Sequence, residues 1–312
     1  MAYLARLRVH LPISLFVVAM GCSSPPDEGP TPPVSTDAGP ESDACAEVLD
    51  GDELRLSAHA HVIPGQDVSY CRRYTTPGKL DISQFVGALG PGGHHSLLLA
   101  REAPTEPDGL GPCSELEIMD AQNGGAFQLL AGVSYETDGI PFAFPTSPVK
   151  VGLTVPKGAQ LVFDAHFLNT GTKDIDTCAT MNLSRGQPIT VALEFRTILP
   201  QAEFTLAVPA HGSIDVSYND APMKGRWRVV AASSHMHAGG KHFRMSIAET
   251  GQTLYETSTW VEPAPTIYDK AIVVVEDGQT IRVECSFENT TAKDQKFPDQ
   301  MCVGAMYVLP WL

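Results

Sequence analysis

Five of the ten histidines in this 312-residue chain stand in three short apolar segments, at spacings that suit a metal ion. His235-Met236-His237 closes the run VVAASSHMH and is followed by Ala238-Gly239-Gly240. Side chains alternate faces along a strand, so His235 and His237 share one face, and two imidazoles at i and i+2 can chelate a single ion. The plainer reading is two polar positions on the wet face of a strand. Company weakens it: His94-His95 stands in PGGHHSLLLA, His166 in LVFDAHFLNTG, and Met301-Cys302 in DQMCVGAMYV. Imidazole in such settings is costly unless something binds it.

Neighbouring residues of a regular strand face opposite ways, so His94 and His95 reach one ion only where the backbone is irregular. Gly90, Gly92 and Gly93 just before them make that available. His166 shares a strand face with Val162 and Asp164, opposite Leu161, Phe163, Ala165 and Phe167; a solvated face is the plain reading there. A second pair, His59 and His61, lies opposite the apolar set Leu54, Leu56, Ala58 and Ala60 with no third partner, and reads as solvent-facing. His211 reads as a turn residue.

A set of imidazoles with a thioether suits copper. Methionine sulfur is a soft donor that cuprous ion accepts. Zinc on three histidines is the competing chemistry, and it leaves Met301 unexplained.

The elements that must carry these residues are strands. Charged residues make up 18% and apolar ones 43%, with 25 Pro and 27 Gly, and no helix longer than a turn or two is demanded. Apolar alternation and turn residues predict strands over 53–63, 67–74, 81–89, 160–168, 189–198, 227–237, 242–249, 253–260, 271–275, 280–287 and 301–309. The fold class expected is all-β: two antiparallel β-sandwiches, over 45–199 and 200–312, with a hinge at Leu199-Pro200-Gln201. A net charge of −15 speaks against nucleic acid as a partner. No phosphate-cradling loop and no G-x-S-x-G elbow is present.

Residues 1–22 read as an export signal, with Arg6 and Arg8 ahead of an apolar run over 11–20 that is too short for a permanent span. The ending Ala19-Met20-Gly21-Cys22 resembles a bacterial lipoprotein signal, in which Cys22 becomes the lipidated first residue; Ala19 stands where Leu is usual. Cleavage without lipidation, giving a soluble secreted protein, is the alternative. Residues 23–44 hold six Pro and five acidic residues and read as a tether. The remaining cysteines, Cys45, Cys71, Cys113, Cys178, Cys285 and Cys302, are widely spaced without a C-x-x-C, which suggests disulfides in an oxidising compartment. Residue spacing leaves their pairing open.

Taken in order, GGHHSLLLA, VFDAHFLN, SSHMHAGGK and DQMCVGAMYV resemble the four copper-ligand segments of the copper type II, ascorbate-dependent monooxygenases, the family of the peptidylglycine α-hydroxylating and dopamine β-monooxygenases. The resemblance covers about residues 45–312. It implies two jelly-roll-like sandwiches facing each other across a cleft, each with one of two copper ions. His94, His95 and His166 would hold the electron-transfer copper, and His235, His237 and Met301 the copper where oxygen binds. It also implies the disulfides Cys45–Cys178, Cys71–Cys113 and Cys285–Cys302.

The activity implied is hydroxylation of a C–H bond in a small organic substrate, using O2 and ascorbate or another one-electron reductant. The membrane would be met only through the lipidated N-terminus. The peptide-hydroxylating members carry an Arg two positions before the His-x-His and a Tyr four positions after the Met. Here Ser233 and Ala305 stand there, so a peptide carboxylate is a poor candidate substrate. Asp164 stands where amine-hydroxylating relatives have a Glu, which makes it a possible substrate contact. The competing function is a copper-binding or electron-carrying lipoprotein without oxygenase turnover.

Overall fold

The computed structural model describes residues 45–49, 51–113, 127–134, 137–147, 149–185, 188–198, 206–260, 263–269, 273–296 and 300–310. The expected signal, the tether, Cys22 and the hinge at 199–201 lie outside the described residues. Those described belong to one compact unit and contain no α-helix.

The strands of the first half are β1 (Glu53–Val62), β2 (Asp67–Thr75), β3 (Leu80–Leu89), β4 (Gly93–Arg101), β5 (Gly109–Pro112), β6 (Phe127–Ser134), β7 (Phe142–Ala143), β8 (Val151–Val155), β9 (Gln160–Leu168), β10 (Ile175–Arg185) and β11 (Val191–Ala192). The second half holds β12 (Glu194–Ile198), β13 (Ala207–Val208), β14 (Ser213–Asn219), β15 (Trp227–His235), β16 (Gly240–Ile247), β17 (Thr253–Thr257), β18 (Thr266–Ile267), β19 (Val273–Val275), β20 (Ile281–Glu288), β21 (Gln295–Lys296) and β22 (Val303–Pro310). Apart from the short parallel pair β8–β11, the ladders are antiparallel.

In the first half, the sheet β1-β10-β3-β8-β11, with β7 beside β3, packs on the sheet β5-β2-β9-β4-β6. Leu54, Leu56, Ala58 and Val62 of β1 face Phe163, Ala165 and Phe167 of β9 across this core, while His59 and His61 point outward as alternation predicts. In the second half, β12-β22-β15-β18, with β19 beside β15, packs on β14-β20-β16-β17 around Phe243, Met245, Val283, Phe287 and Val308. Two large apolar cores, each between two sheets, therefore organise the described residues.

The β12-β22-β15 sheet serves both cores. Val229 and Val308 face the second core, whereas Val230, Ala231 and Tyr307 belong to the first. A register shift between Val229 and Ala231, with Val230 as the extra residue, lets the adjacent Val230 and Ala231 bury on the same side. Tyr307 enters a nest of Phe142, Phe144 and Phe195, whose ring centroids lie 4.9–5.1 Å from its own. Its hydroxyl donates to the Leu130 carbonyl at 2.9 Å inside the protein. Such pairs add to stability beyond the area they bury.

Among the strands that escape an apolar-run reading of the sequence are β10 and β14. Those of β10 that point inward are Thr177, Ala179, Met181 and Leu183, two of them small or polar. β14 runs along a sheet edge, and Ile214, Val216 and Tyr218 are only half buried.

Candidate metal centre

The first histidine set is built by β4 and β9. The ladder pairs Gly93 with Phe167 and then His95 with His166, so His94 is the extra residue of a bulge. The bulge is the irregularity that two adjacent histidines need to turn towards one place. Gly92 has φ +72°, and a Cβ there would lie 2.5 Å from Ile175 Cδ1; one on Gly93 would lie 2.8 Å from Leu89 Cβ. Only glycine fits either position. One ring nitrogen from each of His94, His95 and His166 lies within 4.8 Å of the other two.

His166 Nδ1 faces His95 Nε2 at 3.2 Å, while its Nε2 is held by Asp67 Oδ1. A carboxylate on the far nitrogen fixes the tautomer and the ring plane, as at many metal-ligating histidines. His95 Nδ1, the nitrogen turned away from His166, is buried with no hydrogen-bond partner. Burial first, and then the neighbouring His166 and His94, hold the His95 imidazole well below its usual pKa. It is neutral, the form a metal takes.

The second set is built by β15 and the segment before β22. His235 ends β15 opposite Val303, and His237 lies two residues on. Their Nε2 atoms are 2.8 Å apart. This is hydrogen-bonding contact, and it brings the two ring nitrogens that would hold an ion to one place. Burial, then His237 and His94, push the His235 imidazole down to about 3. Met236, between them, points into the second core and is 1% exposed.

Beyond His237 the chain turns sharply at Gly239, φ +104°, where a Cβ would lie 2.8 Å from the Glu288 carbonyl oxygen. Gln300 closes the loop. Fully buried, it accepts from the backbone N–H of His237 at 3.0 Å and of Met301 at 3.1 Å, and donates to the Ala238 carbonyl at 2.9 Å. The next residue but one, Cys302, is tied to Cys285 on β20. Met301 is thus fixed through its backbone beside the His-x-His segment.

The donor chemistry fits copper: clustered imidazoles, and a methionine tied to the same loop as His237. The two sets also touch. The His94 ring centroid lies 5.2 Å from that of His237, against 5.2 Å from His95 and 5.3 Å from His166.

Three disulfides are present, Cys45–Cys178, Cys71–Cys113 and Cys285–Cys302. Asp164 departs from its expected wet face. It is 0% exposed, with Oδ1 3.2 Å from Cys113 Sγ, because Leu99, Val162 and Cys71 form a small third core over that side of β9. His59 stays outside the cluster, and His61 faces Asp174 and Asp176. His211 is a turn residue with φ 51°. Asp67 and Gln300, neither singled out by sequence, are the supporting residues; their partners are remote in the chain, and only the apolar neighbourhood of Met301 hinted at either.

No protein-family model matches the chain, and no curated protein matches it in sequence. Solved structures that align with it include the major capsid protein P2 of bacteriophage PM2, at 11% identity and TM-score 0.31 over 83% of this chain and 98% of that one. PNGase F, a glycosylasparaginase from Flavobacterium meningosepticum, aligns at 8% identity and TM-score 0.33 over 83% and 96%. The STIV MCP gives the same figures, 8% identity, TM-score 0.33, 83% and 96%. Likeness at this level carries no argument about function, and the all-β assignment rests on the sheets themselves.

Proposed function

We propose that this chain is an exported copper-dependent monooxygenase that hydroxylates a C–H bond of a small organic substrate with O2 and a reductant such as ascorbate. The observation that carries the reading is the convergence of His94, His95 and His166, with ligand nitrogens within 4.8 Å of one another, next to the 2.8 Å pair His235–His237. In this reading His94, His95 and His166 hold one copper, and His235, His237 and Met301 the other. Bound copper would supply one-electron transfer and the activation of oxygen. The chain's own part is to keep His95 and His235 neutral by burial, to orient His166 through Asp67, and to hold His237 and Met301 together through Gln300. Three disulfides fit an oxidising compartment, consistent with export and with a lipidated Cys22 as anchor.

Ser233 and Ala305 are directly opposite each other in the β15–β22 ladder. Two small side chains leave no guanidinium or phenol to grip a carboxylate, which favours a substrate without one. The same pair supports the second reading, a copper carrier without turnover. Oxygen uptake that requires both copper and ascorbate, coupled to a hydroxylated product, separates the two. Met301→Ile should abolish that uptake while leaving the first copper in place. Unchanged coupled uptake in this variant would remove Met301 from the oxygen site.

A further inference from the structure

We infer that a second binding site, remote from the histidines, takes a small apolar carboxylate in a cavity at the margin of the first core, with Arg228 as the anion contact. The inference goes beyond the function proposed above and does not depend on copper.

The cavity, about 130 Å³, lies where β15 and β22 approach the parallel pair β8–β11. Val151 and Val191, partners in that pair, line it from the first half of the chain, and Leu309 and Arg228, partners in the β15–β22 ladder, line it from the second. Val230 and the Tyr268 ring add to the apolar wall. The polar groups of Tyr268 are already engaged: its backbone N–H donates to the Val230 carbonyl at 2.8 Å, and its hydroxyl donates to the Leu254 carbonyl. A space of this size admits one benzene-sized group. Arg228 supplies the polar feature. Its Nε is buried without a hydrogen-bond partner, and Asp269, exposed on the rim, makes no ion pair with it. A buried N–H left unpaired costs free energy, and a ligand oxygen placed beside it removes that cost. The guanidinium offers a planar fork that matches a carboxylate, while apolar walls suit the body of such a ligand and not a bare phosphate or sulfate. Arg228 and His235 stand near opposite ends of β15, roughly 20 Å of extended chain apart, so the cavity is separate from the histidine sets.

Benzoate is the probe, and benzamide is its neutral counterpart of the same shape. Each is titrated into the full chain by isothermal calorimetry, first free of metal and then loaded with copper. The expected result is one benzoate per chain in the metal-free sample, with a Kd of about 1 mM or below, and benzamide weaker by about tenfold or more. Arg228→Gln should weaken benzoate by about tenfold or more. In the unaltered metal-free protein, nuclear Overhauser contacts should run from the benzoate ring to the methyl groups of Val151, Val191 and Leu309, a result that does not depend on any variant folding. Equal binding of benzoate and benzamide, or unchanged benzoate binding by folded Arg228→Gln, would overturn the role of Arg228 as the anion contact. Benzoate bound only after copper loading, or in contact with histidine ring protons, would place it at the histidines and overturn the second site while leaving the copper reading standing. No saturable binding below about 10 mM would overturn the site as well.

Discussion

His94, His95 and His166 sit within the paired length of two neighbouring strands, whereas His237 and Met301 lie beyond the last rung of the ladder that ends at His235 and Val303. The first set is fixed by register, by a bulge and by one carboxylate. The second hangs on a buried amide and a disulfide, which take over where the backbone hydrogen bonds stop. The contrast fits the division of labour proposed for the two histidine sets. A centre that only passes electrons gains from rigidity, and one that must admit oxygen needs a ligand outside the ladder. It also predicts that damage to the supports is unevenly shared between the two ions.

The largest effect should follow removal of the Cys285–Cys302 bond by a double change to Ser. Its closed loop, a sequence separation of 17, makes the bond worth about 3 kcal/mol in urea unfolding. Copper of the second set should be lost before that of the first; equal loss from both would erase the distinction. Gln300→Leu comes next. It strands two backbone N–H groups and a carbonyl that the Gln300 amide pairs. The second copper should bind about 10–100-fold more weakly, as outer-shell losses do at metal sites, with the first unchanged in isothermal titration.

Asp67→Ala should mirror this on the other side. The first copper weakens by about 10–100-fold, and stability barely moves because the carboxylate is mostly exposed. A weakened second copper instead would misassign the carboxylate. His61→Ala is the smallest: His61 faces Asp174 and Asp176 on the outer side of β1, so copper stoichiometry and unfolding midpoint should both stay as they are.

How far the sequence reads depends on the range of the interaction. The clustered histidines were legible because a His-x-His on a strand and a double His after glycines are local patterns. The bulge at His94 follows from those glycines, and β1, β9 and β20 follow from alternation. Alternation names two faces without saying how many layers cover them. Asp164 therefore reads as wet, although Leu99 and Val162 close over it. β10 escapes for a related reason, because Thr177 and Ala179 do not announce an inward face. Asp67, Gln300 and the meeting of His94 with His237 are set by register and by packing between sheets, which no local pattern encodes.

The central claim is that these residues make two copper sites, and metal analysis of the full chain tests it most directly. The account predicts two coppers per chain, falling to about one in His166→Ala and to about one in His237→Ala. A single copper in the unaltered protein, or zinc in its place, would contradict it and leave a metal-binding protein without the oxygenase chemistry.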